Sequence, residues 1–254
     1  MTTETRQCST DHSARRETDG SGRTETSESL RLSPESESAP VGFLDPDDCF
    51  TRRYSERPFF RTQLTQIDQY ELPETDLSAL AGVVVSSQAD QDFLYQHRDS
   101  IRTYLDEGGV VAFSGHISRP WLPGAGTFEP KQIDSADDYA VKETTDHPVF
   151  EGVAMDDLTY QRGVAGFFAR GHNPPPEEAT VILRLADGEP VVYVDEVTTD
   201  GTIFAHSGND LIAFDRRETS AKRVPPQLVT WIRETSEVDI SLTRRRTGVE
   251  GGRL

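Results

Sequence analysis

The chain has 254 residues, of which 34% are hydrophobic, and carries 44 acidic against 26 basic residues for a net charge of −18. That length and apolar content allow one sizeable core with tails, and acidity spread along the chain without a basic, aromatic-laced stripe excludes a nucleic-acid-binding surface. Only Lys131, Lys142 and Lys222 are lysines, a balance typical of halophilic proteins, in which dense carboxylates keep the surface solvated while salt screens isolated ion pairs.

Residues 1–39 are mostly Ser, Thr, Glu, Arg and Gly. They bury too little surface to offset ordering entropy, so a disordered tail is expected there, with a second flexible tail at 237–254. The folded domain is expected over 40–236. It opens either with VGFLD at residue 41 or with PFFRTQLTQI, where Phe60, Leu64 and Ile67 leave the period open between helix and strand. The charged stretch between them, DPDDCFTRRYSERP, reads as a loop or short helix.

LAGVVVSS is a short apolar, β-branched run, the mark of a strand covered on both faces. Phe93, Leu94, His97, Ile101, Tyr104 and Leu105 then share one stripe at helical spacing. Ser87 or Asp90 would cap that helix and Gly108-Gly109 would end it. VVAFSG follows as a second parallel strand, which places His116 just past a carboxyl end, the edge where open α/β sheets bind ligands. The Gly pair precedes this strand instead of following it, which excludes a dinucleotide fingerprint.

Beyond a Pro- and Gly-punctuated loop, WLPGAGTFEP, the segment YAVKETTDHPVFEGV reads as a strand leading into a turn. GVAGFFARGHNPPP begins apolar and ends in a rigid turn. ATVILRLADGEPVVYVDEVTTDGTIFAHSG reads as three short strands separated by DG turns, the pattern of antiparallel hairpins. A last helix carries Leu228, Trp231 and Ile232 inward, with Pro225 and Pro226 in its first turn. The two cysteines, Cys8 and Cys49, make no disulfide framework. With no run approaching 18 apolar residues and no secretory signal core, a cytoplasmic protein without membrane contact is expected.

In its order of elements the chain resembles the class I glutamine amidotransferase-like superfamily, and within it the trehalose-utilisation-like (ThuA-like) branch. The features that carry the resemblance are DLSALAGVVVSS, the helix ending in DEGG, VVAFSGH, DHPVFEGV and DGTIFAHSGNDL, over roughly residues 62–234. It implies an α/β, flavodoxin-like sheet with flanking helices and C-terminal antiparallel strands. It also implies, for members that hydrolyse glutamine, a cysteine nucleophile on a strained turn and a late histidine with a glutamate two residues on. Here the turn reads FSGHI, no cysteine follows Cys49, and His206 is followed by Ser207 and Gly208, so glutaminase activity is not expected. Ser114 is a poor substitute nucleophile, because a G-x-S-x-G elbow would need glycines where Ala112 and His116 stand.

The polar residues at expected strand ends remain as candidates. His116, His206 and Asp210 are the candidate catalytic groups, a base and its orienting carboxylate. Arg162, Arg170, His172, Trp121 and Asn209 are the candidate ligand-binding groups, with arginine offering a planar fork to carboxylate or phosphate and Trp121 either a stacking surface or merely a cover for the sheet edge. Asp195, Asp200 and Asp210 are the alternative partners of those arginines in internal ion pairs. His116, His172 and His206 with a carboxylate would suit a divalent metal such as Zn²⁺, although none sits at a diagnostic spacing and each imidazole has an ordinary structural role open to it. The leading expectation is a non-catalytic module that binds a small polar or anionic ligand or a protein partner. The alternative is a hydrolase or isomerase of a small polar or sugar-like substrate, with or without a divalent metal; no other cofactor is expected. A subunit of a larger assembly would instead show an exposed apolar patch near Trp121 and Phe128.

Overall fold

The computed structural model describes residues 39–247, with side chains described as far as Ser236. The N-terminal tail expected at 1–39 therefore lies, except for Ala39, outside the described residues.

VGFLD forms β1 (Val41–Asp45), and the ambiguous PFFRTQLTQI divides into a short helix and a strand. After α1 (Thr51–Ser55), Pro58 starts α2 (Pro58–Gln63), and the chain then straightens into β2 (Leu64–Asp68). β3 (Gly82–Val85) leads to α3 (Gln91–Gln96), which Asp90 caps through the Asp92 and Phe93 amides. The expected single helix is broken at His97, and α4 (Arg98–Asp106) continues its apolar stripe before β4 (Val110–Ser114). At the break an Arg98 guanidinium nitrogen donates at 2.8 Å to the Tyr95 carbonyl, which an unbroken helix would give to the Asp99 amide.

The second half adds β5 (Glu129–Pro130), β6 (Val141–Glu143) and α5 (Met155–Thr159), then a hairpin of β7 (Tyr160–Gln161) and β8 (Val164–Ala165). It closes with β9 (Gly171–His172), β10 (Thr180–Leu185), β11 (Pro190–Asp195), β12 (Thr202–His206) and the long α6 (Val224–Thr247). Helical backbone thus continues past the expected start of a flexible tail at 237.

Eight strands form one sheet in the order β2-β1-β3-β4-β12-β11-β10-β6. The first five are parallel and the last three junctions antiparallel. β12 is therefore more than the last arm of a hairpin: its other edge pairs with β4 and completes a parallel block in the 2-1-3-4-5 order of doubly wound, flavodoxin-like sheets. Side chains alternate across this block. Phe43, Val84, Ala112 and Phe204 face one layer, under Leu228, Val229 and Ile232 of α6, while Leu44, Val85, Phe113 and Ala205 face the layer of Leu94, Ile101 and Leu105. Each fully buried aliphatic side chain contributes roughly 1.5–3 kcal/mol to this sandwich. No helix among the described residues is long and apolar enough to cross a membrane.

Candidate functional site

Four strands of the parallel block share one design, an apolar run closed by a single polar residue: VGFL then Asp45, GVVV then Ser86, VVAF then Ser114, TIFA then His206. The ladder pairs Leu44 with Val85, Val85 with Phe113, and Ser114 with His206. Extending that register by one residue sets Asp45, Ser86, Ser114 and His206 abreast at the carboxyl edge, all on the Phe43–Phe204 face. All four are buried.

In such a sheet the binding crevice opens where the chain switches sides, here between β1 and β3. That crevice is filled. Asp210, in the loop after β12, reaches across it and accepts hydrogen bonds from the Tyr54 hydroxyl (2.5 Å), the Ser86 hydroxyl (3.0 Å) and the Ser87 amide (2.6 Å). Burial raises the Asp210 carboxyl above its ordinary value, although those three donors pull the other way. Beside it, Asp45 accepts from the Thr51 hydroxyl at 2.9 Å, the Asp47 amide at 2.9 Å and the Gln66 side chain.

The other two members of the row are also buried, each with one bond to the chain. Ser114 Oγ accepts from the Leu211 amide at 3.3 Å. His206 is wholly buried, with Nε2 3.1 Å from the Phe168 carbonyl and its ring 4.4 Å from that of Phe168. A carbonyl only accepts, so Nε2 carries the proton and Nδ1 the lone pair, which has no partner. Desolvation lowers the imidazole to about pH 3, so it is neutral at physiological pH. Asn173 stitches the surrounding loops, accepting from the Ile117 amide at 3.0 Å and donating to the Gly115 carbonyl at 2.8 Å.

Above this sealed layer lies a cavity of about 320 Å³ whose lining includes His116, Arg170, Gly208 and Asn209. Its floor is residues 166–170, bridged to the loop after β12 at Ala169 and Gly208. The approach is so close that a Cβ on Gly208 would lie 1.7 Å from the Phe168 carbonyl oxygen, so no other residue fits there. Asn209 Nδ2 donates to the Phe167 carbonyl at 2.8 Å, and Arg170 Nε to the Gly166 carbonyl at 3.0 Å. The exposed His116 ring stacks on Phe128 at 3.6 Å and 12°. Partial desolvation, then the charge of Arg170, hold its imidazole below the ordinary histidine value.

The remaining candidates fall elsewhere. Arg162 occupies the exposed β7–β8 turn at φ 51°, followed by Gly163 at φ 78°, and does not line the cavity. His172 lies 3.9 Å from Glu129 across the β5–β9 pair. Trp121 is no stacking platform: it is buried on the opposite face of the sheet, edge-on to Phe113 at 5.2 Å, because the Pro-Gly loop folds inward over the core. That burial also removes it from the apolar patch a larger assembly would need. Asp195 ends an antiparallel strand, hence at the far edge of the sheet, where Oδ1 accepts from the Val197 and Thr198 amides. Neither Arg162 nor Arg170 has a carboxylate within ion-pair distance among the described residues. His116, His172 and His206 are not assembled as metal ligands: no group of three His, Cys, Asp or Glu among the described residues is so arranged.

Asp45, Tyr54, Ser86 and Asn173 carry this edge, and none stood out in the sequence. The signal for Asp45 and Ser86 was available in the repeated pattern of an apolar run closed by one polar residue.

No protein-family model and no curated protein matches the chain. Among solved structures it is similar to an exo-β-1,4-mannosidase from Opitutaceae bacterium strain TAV5, with 15% identity over 78% of this chain and a TM-score of 0.42. The chain spans 35% of that mannosidase. It is also similar to the mmIFT52 N-terminal domain, with 10% identity over 76% of this chain and 97% of that one, at a TM-score of 0.45. A third likeness is to a glutamine amidotransferase from Thermotoga maritima, with 15% identity over 82% of this chain and 95% of that one, at a TM-score of 0.43. At such identities and scores a likeness says nothing of this chain's activity.

Proposed function

We propose that the protein is a non-catalytic ligand-binding module on a class I amidotransferase-like fold, working in a saline cytoplasm and taking a small polar molecule at the His116–Arg170–Asn209 cavity. The observation that carries this reading is the contrast in hydrogen-bonding capacity at the carboxyl edge. The Asp210 carboxylate, the Ser114 hydroxyl and His206 Nε2 are each buried and already hold a protein partner, Ser114 as an acceptor from the Leu211 amide. A nucleophile and base need reach to a substrate, and these have none. The cavity side chains keep donors and acceptors to spare.

A hydrolase reading retains one point in its favour, since Ser114 and His206 are paired across adjacent strands with His206 Nδ1 free. It requires the 166–170 segment to lift off His206.

The test is a thermal-shift screen of small polar compounds in molar KCl, beside turnover assays with glutamine, acyl esters and glycosides. Binding stabilises a fold by RT ln(1 + [L]/Kd), about 2.7 kcal/mol at a hundredfold excess over Kd. The expected result is saturable stabilisation that survives Ser114→Ala and is lost in Asn209→Ala, with no turnover. Turnover abolished by Ser114→Ala would overturn the reading in favour of a hydrolase. Unchanged stability after removal of the KCl would sink the saline part alone.

A further inference from the structure

We infer that the ligand of this cavity carries an oxyanion, a carboxylate or phosphate group gripped by the Arg170 guanidinium; the inference rests on the binding-module reading above. The lining chemistry separates this cavity from the others. None of its lining residues is acidic, in a chain with 44 acidic residues. Three other cavities are lined with carboxylates: Asp76, Asp99 and Glu107 in one, Glu143, Asp146 and Glu151 in the second, Glu151 and Glu234 in the third. Salt screens distant charges, but a carboxylate within a few ångströms would still repel a bound anion, so a cavity whose lining holds a guanidinium and no carboxylate is where an anion fits.

The guanidinium is also held in place. Its Nε is tied to the Gly166 carbonyl, and the Arg170 main-chain carbonyl accepts from the Lys131 amide at 2.9 Å. The two terminal nitrogens have no partner among the described residues, which leaves a two-pronged donor fork matched to two anion oxygens. An arginine already positioned loses less side-chain entropy on binding than a free one. His116 adds a neutral imidazole with both a donor and an acceptor. Asn209, its Nδ2 spent on Phe167, leaves Oδ1 to accept from a ligand hydroxyl.

The test titrates the folded full-length chain, at fixed potassium chloride, with acetate, inorganic phosphate and the uncharged probes acetamide and glycerol, following the Gly208 and Asn209 amide resonances. Saturable shifts are expected with acetate or phosphate, whichever binds naming the kind of oxyanion, and none with acetamide. Arg170→Gln should weaken that binding by about tenfold or more, the value of a charge-assisted pair, while circular dichroism is unchanged. Saturable binding of acetamide or glycerol without either oxyanion would overturn the oxyanion inference and leave the binding module standing. Full-strength oxyanion binding by Arg170→Gln would overturn the role of Arg170. No shift with any of the four probes would remove the inference and the cavity assignment together.

Discussion

The carboxyl edge holds two polar layers that follow opposite rules. In the lower one, Asp45, Ser86, Ser114, His206 and Asp210 are buried, and their hydrogen bonds run to other parts of the chain. In the upper one, His116, Arg170 and Asn209 are exposed, each anchored through part of its side chain with the rest unused. Polar groups at the end of a sheet thus belong either to the fold or to a ligand, and spare hydrogen-bonding capacity that is open to solvent, which the buried His206 Nδ1 is not, separates the two more sharply than position does. Mutation should separate the layers by stability alone.

The largest loss is expected where a residue first read as a binding surface belongs to the core. Trp121→Ala empties a buried site against Phe113 and should cost about 3–5 kcal/mol in urea denaturation. A loss under about 1 kcal/mol would mean that the indole is not packed as described. Asp210→Ala is next, at about 3 kcal/mol or more, since it strands the Ser87 amide and the hydroxyls of Tyr54 and Ser86 without an acceptor. Asp210→Asn keeps the shape and should cost distinctly less. If both variants were as stable as the parent, the lower layer would not be structural.

Much of this was legible in the chain, and the rest was hidden for identifiable reasons. Apolar runs closed by one polar residue mark the parallel strands, and Asp90 marks a helix start, because both signals are local. The Tyr54–Asp210 bond joins residues 156 positions apart, so it exists only once β1 and β12 share a sheet. Arg162 and Arg170 flank the same apolar stretch and look alike in sequence. A left-handed Arg-Gly turn sends the first to a hairpin tip, while the β-bridge at Ala169 draws the second to the cavity. Trp121 stood open between a stacking surface and a cover for the sheet edge; its Pro-Gly loop folds the indole under, which is the second.

Acid offers an intermediate effect on the buried side of the comparison. Desolvation lowers His147 to about 4 and His206 to about 3, while both titrate near 6.5 in the unfolded chain. Below pH 6.5 the unfolded state therefore binds more protons, and stability falls as pH falls, by about 1.4 kcal/mol per pH unit for each group. Asp210, raised by burial, acts in the opposite sense above its ordinary value of 3.8, so a difference between variants reads His147 more cleanly than the raw curve. His147 Nδ1 also accepts from the Val149 amide at 3.3 Å, a bond that protonation breaks. His147→Phe should recover about 2 kcal/mol at pH 5 relative to its effect at pH 7.5. Parallel curves for the two proteins would mean that this imidazole is not desolvated.

The smallest effects belong to the upper layer, and there the smallness is the evidence. His116→Ala forfeits a stacked contact on Phe128, worth about 0.5–1.5 kcal/mol at most and less at an exposed site. Removing a group that the fold uses in full strands its partners, as at Asp210. Removing one that the fold holds by a single tether leaves solvent to replace the rest, so a near-silent change in stability is what a residue reserved for a ligand should give. A stability loss from His116→Ala approaching that of Asp210→Ala would erase the distinction between the layers and return His116 to the structural residues.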